Sequence, residues 1–258
     1  MKNYIISIQK LINHNEIRLY HYPALESTNV TLKKMALDGA VEGSVVIADA
    51  QTSGRGRFYR KFYSPENGVY MSILLRPDSA GFDATPITTA AAVAVAKAAE
   101  NLSGKKTKIK WVNDVLINGK KICGILTEGA FDPESRKPQY VIVGIGINAF
   151  MPTGGFDEEI KDIAGAVFDR IDAENKSRLI AETINIFMEY YKNLSSKEFL
   201  EEYRLRSAVI GKNIIVFKNC SQFNATAIDI DDSCRLLVEY EDGRREYLSS
   251  GEISIKLN

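Results

Sequence analysis

The sequence is poor in the residues that carry the commonest redox, zinc and hydrolase chemistries. Its 258 residues include three cysteines, Cys123, Cys220 and Cys234, which are odd in number and lack a CxxC spacing. A disulfide framework and a structural zinc site are therefore both disfavoured. Only two histidines are present, His14 and His21, and both lie near the amino terminus. A Ser-His-Asp or Cys-His triad would have to use one of them and is therefore disfavoured. We predict no resident metal site.

Long apolar runs and an excess of one charge are missing as well. No stretch of about 18 apolar residues occurs that would span a bilayer, and the amino terminus shows no signal-peptide core. Lys and Arg together number 33, and so do Asp and Glu. This balance is atypical of proteins that coat nucleic acids or membrane surfaces. We predict a cytoplasmic protein that does not bind a membrane.

Common nucleotide-binding fingerprints are also absent or incomplete. The sequence has no GxxxxGK[ST] motif, so a P-loop is excluded. Gly144-Ile145-Gly146 ends a predicted strand, but position 149 is alanine and no suitable helical pattern follows. A dinucleotide site is therefore a weak alternative.

The secondary-structure pattern divides the chain into residues 1–208 and 209–258. The first 20 residues predict a helical turn or two and an extended segment, and a hydroxyl- or amide-capped helix begins at Ser27-Thr28-Asn29. Further helices are predicted at 88–101, with a threonine cap, and at 176–194 and 196–206; strands are predicted at 43–48, 69–76, 108–112, 115–117, 121–127 and 140–147. Five β-rich segments at 212–217, 223–230, 234–240, 244–248 and 253–257 predict a small closed barrel.

A basic, glycine-containing loop over 51–62 is the most unusual segment. Four cations fall within seven residues, beside Gly54 and Gly56: Arg55, Arg57, Arg60 and Lys61. Glycine allows close approach to a ligand, and paired guanidinium groups suit phosphate. A solvated basic turn or a nucleic-acid patch is the alternative. The aromatic residues that follow the arginines favour an anchored loop, which we expect to be loose without ligand.

A predicted hairpin brings one cation and one anion together. Asn118-Gly119 is typical of a two-residue turn, which pairs Ile117 with Lys120, Leu116 with Lys121, and Asp114 with Cys123. Strand alternation then places four side chains of the hairpin on one face: Asp114, Leu116, Lys121 and Cys123. The opposite face would hold Val115, Ile117, Ile122 and Leu126. Gly124 leaves room for a ligand beside Asp114 and Lys121, although a surface salt bridge would give the same spacing.

Taken in order, these motifs resemble the biotin–protein ligase family. The matching residues extend from 27 to 254: Ser27-Thr28-Asn29, Gln51, Gly54-Arg55-Gly56-Arg57, Trp111, Asn113-Asp114, Lys121, Gly124-Ile125-Leu126, Gly144-Ile145-Gly146-Ile147-Asn148 and Gly251-Glu252-Ile253-Ser254. The resemblance implies an α+β fold, with a class II synthetase-like catalytic domain of mixed sheet and helices over 1–208. An SH3-like β-barrel would follow over 209–258.

The resemblance also implies a two-step reaction. Biotin and ATP with Mg²⁺ would form biotinyl-5′-AMP, and a lysine of a biotin carrier domain in a biotin-dependent carboxylase would then take the biotinyl group. Lys121, Asp114 and Arg55 would be catalytic. Biotin or adenylate would contact Ser27, Thr28, Asn29, Gln51, Gly54, Arg55, Gly56, Arg57, Trp111, Asn113, Lys121, Gly124, Gly144, Gly146 and Asn148. A homodimer through edge strands is compatible with the family.

Three departures from the family pattern qualify these expectations. Phe58-Tyr59 replaces an arginine and a glycine of the loop, Val112 stands where proline is usual, and Lys256 occupies a position near which an arginine can reach ATP. Twenty-six residues precede Ser27-Thr28-Asn29, so we predict a monofunctional ligase without a DNA-binding domain. A lipoate–protein ligase is the alternative enzyme, and a non-catalytic nucleic-acid-binding or biotin-sensing protein is the alternative of another class.

Overall fold

The computed structural model describes residues 2–78, 83–135, 137–218, 221–249 and 252–255. Its helices are α1 (Lys2–Leu11), α2 (Thr28–Leu37), α3 (Thr85–Ser103), α4 (Ala173–Lys192) and α5 (Glu198–Leu205). Its strands are β1 (Arg18–Leu25), β2 (Ser44–Gln51), β3 (Val69–Leu75), β4 (Thr107–Lys110), β5 (Asp114–Ile117), β6 (Lys120–Phe131), β7 (Pro138–Ile147), β8 (Asn213–Lys218), β9 (Ser221–Ile230), β10 (Leu236–Tyr240), β11 (Arg245–Leu248) and β12 (Glu252–Ile255). No helix in these ranges is long and apolar enough to cross a membrane.

A seven-stranded mixed sheet forms the larger part, in the order β1-β2-β3-β7-β6-β5-β4. β1 and β2 are parallel, and the other neighbours are antiparallel. Every residue of β3 is buried, because helices cover both faces of this part of the sheet. α3 lies between the sheet and α4, whereas α2 contacts β2, β3 and β7 with Leu32 and Ala36 in the second apolar cluster.

The amino-terminal caps of α2 and α3 differ from those predicted from the sequence. Ser27 is the N-cap residue of α2, but its side chain makes no capping hydrogen bond. The Thr28 amide donates instead to Gln51 Oε1 at 2.9 Å, so a residue at the end of β2 supplies the cap. α3 begins at Thr85, where Asp83 Oδ1 accepts from the amide at 2.8 Å. The expected threonine cap at Thr88 is wrong, since Thr88 lies one turn inside the helix.

The β5–β6 hairpin confirms two predicted pairs, Ile117 with Lys120 and Leu116 with Lys121. The third pair is wrong, because a β-bulge shifts the register between Val115 and Leu116. Asp114 therefore faces Gly124 and Val115 faces Cys123. An extra residue in one strand reverses the alternation beyond it.

That reversal also corrects the predicted faces. Cys123 packs in the main core and is fully buried, rather than sharing the face of Lys121. Leu126 was predicted on the face opposite Asp114 and Lys121. It lies instead on their face, where it lines a cavity with Gly124.

The five carboxy-terminal strands are present in a second, antiparallel sheet of order β11-β10-β9-β8-β12. Alternate residues of β8, Ile214 and Val216, are buried, as expected for strands that cover an apolar core on one side. The α+β class with a small carboxy-terminal β unit is thus confirmed. The boundary at 208/209 stays a prediction, as do contacts of Lys256 and Gly251, which lie outside the described residues.

The two sheets share one apolar core. A single cluster contains Ile145 and Leu179 of the larger part together with Leu236 and Val238 of the smaller one. Polar contacts reinforce the junction. Trp111 Nε1 donates to the carbonyl of Cys234 at 3.0 Å, and Thr89 Oγ1 lies 3.2 Å from Cys234 Sγ. Burial raises the pKa of the Cys234 thiol to about 11.

Candidate active site

A cavity of about 680 Å³ lies against the face of the seven-stranded sheet that carries α2. It is bounded by the start of α2, the loop 51–65, the β5–β6 hairpin, β7 and the segment 157–164. All of the residues predicted for the site line it: Ser27, Thr28, Asn29, Gln51, Gly54, Arg55, Gly56, Arg57, Trp111, Asn113, Asp114, Lys121, Gly124, Gly144, Gly146 and Asn148. The fold therefore brings together residues that are up to 121 positions apart in sequence (148 minus 27).

One end of the cavity is a network of neutral polar side chains. Gln51 joins two elements, because its Oε1 lies 2.9 Å from the Thr28 amide and its Nε2 donates to Ser64 Oγ at 2.9 Å. Asn29 is buried beside Thr28, and its Nδ2 donates to Glu128 Oε2 at 2.7 Å. This end suits a small neutral ligand with hydrogen-bonding groups at fixed positions.

Glycines on β6 and β7 form a flat floor in the middle of the cavity. Gly124 and Gly146 are paired across the two strands, and the ring of Phe62 lies over both. A Cβ atom at Gly146 would stand 2.5 Å from Phe62 Cε1, and one at Gly124 would stand 3.0 Å from Phe62 Cε2. Gly144 makes room for Asn29 in the same way. Any larger residue would have to displace these side chains.

The basic loop folds back on itself as a short hairpin. Arg55 and Lys61 form an isolated antiparallel bridge, and the Gly56 amide donates to the Arg60 carbonyl at 2.7 Å. Phe58 and Tyr59 at the tip have φ values of 54° and 59°, in the left-handed region that favours glycine. Tyr59, which stands where the family pattern has glycine, therefore occupies a left-handed position. Looseness of the empty loop stays a prediction.

The charged end of the cavity contains the predicted ion pair. Lys121 Nζ lies 2.7 Å from Asp114 Oδ1, and both side chains are partly exposed to the cavity (33% and 22%). Further cations line the same cavity: Arg55, Arg57, Arg60, Lys61 and Lys110. The lining carboxylates are Asp114, Asp157 and Glu159. Because lining cations outnumber lining carboxylates, this end suits an anionic ligand such as a phosphate chain.

Hydrogen bonds hold the charged residues in place. Arg57 Nη1 donates to Asn113 Oδ1 at 3.2 Å, and Asn113 Nδ2 donates to the carbonyl of Ile125 at 3.0 Å. Asn148 Nδ2 donates to the carbonyls of Lys121 and Gly165, at 3.3 and 3.1 Å. Asn113 and Asn148 thus line the cavity while their amides position its backbone. Burial raises the pKa of the Cys123 thiol behind Lys121, so it stays neutral.

Sequence reasoning missed several residues of the site. Phe62 and Ser64 belong to the aromatic end of the basic loop, which the sequence marked only as an anchor. The segment around Asp157 and Ile160 shows no motif, and Ile253 comes from the carboxy-terminal sheet. Among the described residues, no three or more His, Cys, Asp or Glu side chains are grouped to hold a metal ion.

Comparison with known proteins gives consistent similarities. The model of the Biotin/lipoate A/B protein ligase family matches residues 22–148, and that of the Biotin protein ligase C terminal domain matches 209–256. The Bifunctional ligase/repressor BirA of Bacillus subtilis is 38% identical over 243 residues, covering 90% of this chain and 72% of that protein. The Biotin–[acetyl-CoA-carboxylase] ligase of Mycobacterium tuberculosis is 30% identical over 237 residues, covering 88% of this chain and 85% of that protein.

A solved structure shares the fold. Biotin protein ligase from Aquifex aeolicus, in complex with biotin and ATP, superposes with a TM-score of 0.75 at 26% sequence identity. The match covers 93% of this chain and 99% of that protein.

Proposed function

The chain belongs to the biotin–protein ligase family and is an ATP-dependent biotin ligase, and we propose that the cavity described above performs both steps of its reaction. The observation that carries this assignment is the distribution of polarity within one cavity. A neutral hydrogen-bonding end around Thr28 and Gln51 is continuous with a cationic end around Lys121. Biotin combines a neutral cyclic urea with a carboxylate, and the carboxylate must meet a triphosphate.

Biotin binds with its ureido ring at the neutral end. Ser27, Thr28 and Asn29 at the start of α2 face the ring with Gln51, and Gly124, Gly144 and Gly146 let the bicyclic ring approach the sheet. The valeryl chain then extends over the glycine floor toward Lys121. This direction is supported by the position of the ion pair between Lys121 and Asp114.

In the first step, a carboxylate oxygen of biotin attacks the α-phosphorus of MgATP. The bond from that phosphorus to the bridging oxygen breaks, and pyrophosphate leaves. Lys121 moves from Asp114 to the carboxylate and α-phosphate oxygens, where it stabilises negative charge that develops in the transition state. Arg55 and Arg57 neutralise phosphate oxygens and close the loop over biotinyl-5′-AMP, which protects the mixed anhydride from water.

In the second step, a lysine amine of the carrier domain attacks the carbonyl carbon of the anhydride. The bond to the phosphate oxygen breaks and AMP leaves, while the amine loses a proton. Asp114 is free to orient the amine or accept that proton once Lys121 has moved to the phosphate. The acceptor is the biotin carrier domain of a biotin-dependent carboxylase, a class named in the Mycobacterium tuberculosis relative.

Mg²⁺ enters with the nucleotide as part of the substrate. A cation held mainly by phosphates and water needs few protein ligands. α1 packs against α4 and β1, and β1 is an edge strand of the catalytic sheet. A ligase without DNA binding of its own stays a prediction. A homodimer through an edge strand stays a prediction.

Mass spectrometry of a carrier domain incubated with the protein, biotin and MgATP tests the proposal. We expect the carrier to gain one biotinyl group at one lysine, with release of pyrophosphate. A carrier with that lysine changed to arginine is the matched control and should stay unmodified. Transfer of lipoate but not biotin would contradict the substrate, and a Lys121→Ala protein as active as the wild type would contradict the site.

A further inference from the structure

Ser72 is a buried hydroxyl in a strand that is otherwise suited to the apolar core. It lies on β3, in the segment Val69–Leu75, and none of its surface is exposed. Its Oγ lies 2.7 Å from Thr28 Oγ1 and 2.6 Å from Asn29 Oδ1. Ser72 does not line the cavity, but both of its partners do. It is therefore placed to act on a ligand only through Thr28 and Asn29.

The orientation of the Asn29 amide is determined by its other contacts. Asn29 Nδ2 donates to Glu128 Oε2 at 2.7 Å and to the Leu126 carbonyl at 3.4 Å. Both of its N–H groups are thereby directed away from the ligand, and its oxygen points to Ser72. Gly144, opposite Ser72 on β7, leaves the space that the Asn29 amide fills.

The single proton of the Ser72 hydroxyl determines which oxygens of Ser72, Thr28 and Asn29 donate hydrogen bonds and which accept them. A carbonyl oxygen cannot donate, so the short Ser72–Asn29 contact requires the Ser72 hydroxyl to donate to Asn29 Oδ1. A hydroxyl has one proton, and the Ser72–Thr28 contact therefore requires Thr28 to donate to Ser72. Thr28 Oγ1 also lies 3.2 Å from Gln51 Oε1, but that oxygen already accepts from the Thr28 amide at 2.9 Å, and the 2.7 Å contact with Ser72 is the shorter. The Thr28 hydroxyl and the Asn29 oxygen are left with only lone pairs for a ligand.

We propose that Ser72 is a positioning residue that accepts a hydrogen bond from the Thr28 hydroxyl and donates its own proton to Asn29 Oδ1, so that the Thr28 and Asn29 oxygens offer a ligand only lone pairs and select ligands that present N–H donors to them. The proposal rests on the biotin ligase function and adds a determinant of its specificity. The two ureido N–H groups of biotin are the donors that match. A ring that offers only acceptors at this position would meet lone pair against lone pair and be rejected.

The test compares Ser72→Ala with Ser44→Ala. Ser44 is an equally buried serine on the neighbouring strand β2 whose hydroxyl has no hydrogen-bond partner, so its removal is a matched control. Adenylate formation is measured by ATP–pyrophosphate exchange, with biotin and with biotin methylated on one ureido nitrogen or the other. Ser72→Thr, which retains the hydroxyl proton, tests rescue.

We expect Ser72→Ala to raise the KM for biotin about ten- to a hundredfold, because the buried Asn29 oxygen loses its donor. The kcat should stay within about threefold of the wild-type value, because Ser72 touches no reacting atom. The preference for biotin over the N-methylated analogues should fall in Ser72→Ala and return in Ser72→Thr. Ser44→Ala should resemble the wild type in both respects.

Three results would overturn the proposal while leaving the ligase function intact. They are an unchanged KM and preference in Ser72→Ala, an equal rise of KM in Ser44→Ala, and a fall of kcat and thermal stability with no change of preference. Absence of biotin-dependent exchange in the wild-type protein would instead contradict the proposed function itself.

Discussion

Among single residues, Lys121 lies at the point where the neutral and cationic ends of the cavity meet. Its partner Asp114 is on the adjacent strand, and both side chains are partly open to solvent. Ion pairs of this exposure contribute only about 0–1 kcal/mol to stability. The pair is thus easily exchanged for a phosphate, which favours a role in catalysis over one in folding.

Lys121→Ala should therefore fold normally and lose adenylate formation. We expect the rate of biotin-dependent ATP–pyrophosphate exchange to fall about 10²–10³-fold, since a positioned charge that stabilises a transition state contributes that factor. The melting temperature, measured on the same sample, should hardly change. Lys120→Ala is the matched control, because Lys120 is exposed and does not line the cavity. Comparable losses in the two variants would remove Lys121 from the catalytic role.

Tyr59 permits a second test at the residue level. It is fully exposed at the tip of the basic loop with a φ of 59°. A left-handed conformation costs a non-glycine residue about 1–2 kcal/mol. Trypsin must open the loop locally to cut after Arg57 or Arg60, so Tyr59→Gly should be cleaved there about fivefold more slowly than Tyr59→Ala. Faster cleavage of the glycine variant would show that the tip is not held in this conformation.

At the level of secondary-structure elements, β6 and β7 shape the cavity through their paired glycines. The Phe62 ring lies in contact with the floor made by Gly124 and Gly146. It is also 6.5 Å from the Tyr70 ring, in an edge-to-face arrangement. The loop and the two strands therefore fit each other only while both positions lack a side chain.

Gly146→Ala should lower kcat/KM for adenylate formation about ten- to a hundredfold, because forcing a methyl group into a filled site costs ~1–3 kcal/mol. The kinetics are compared with those of Gly129→Ala, a glycine of β6 outside the cavity whose added Cβ would meet the Tyr140 carbonyl at 3.3 Å. Similar activity in the two alanine variants would mean that Phe62 can leave the floor without cost.

The same elements indicate how far sequence alone can lead. Asn118-Gly119 sets the register of the first two pairs, so the meeting of Asp114 and Lys121 was predictable. The bulge was not, because the extra residue is Ile122 of β6, and the apolar Ile122 and Cys123 suit a strict alternation as well as a bulge that buries both. Cys123 and Leu126 were assigned to the wrong faces for this reason.

Long-range contacts explain the remaining misses. The cap of α2 comes from Gln51, which lies 23 positions after Thr28, and a local capping rule cannot include it. Ser72 resembles an ordinary small residue in an apolar strand until α2 brings Thr28 and Asn29 to it. The cavity residues predicted from the sequence follow recognisable motifs, whereas the residues that support them depend on packing.

At the level of the whole molecule, the two sheets behave as one packed body. They share an apolar cluster, and the Trp111 indole donates to Cys234 across their junction. Arg204 adds a second link, since its Nε donates to the Ile230 carbonyl at 2.7 Å. Neither sheet can lose its partner without exposing apolar surface to water.

Urea denaturation should therefore show one cooperative transition, with coincident midpoints by circular dichroism and tryptophan fluorescence. Thr89→Val removes a hydroxyl that meets Cys234 Sγ and Trp111→Phe removes the indole donor, so both should shift the circular dichroism midpoint without splitting it. We expect Trp111→Phe to cost about 1–3 kcal/mol, since a buried carbonyl loses its donor. Two separated transitions in any of the three proteins would contradict a shared core.

The contribution of Ile253 to the cavity has a consequence for biosynthesis. β12 carries this residue and pairs with β8, so the cavity wall closes only after the last strand has joined the sheet. A ribosome must therefore translate past codon 253, and that stretch must clear the exit tunnel, before a nascent chain can enclose its substrates. Messages interrupted between codons 148 and 253 would yield polypeptides that have all of the motifs from Ser27 to Asn148 and still lack a complete site.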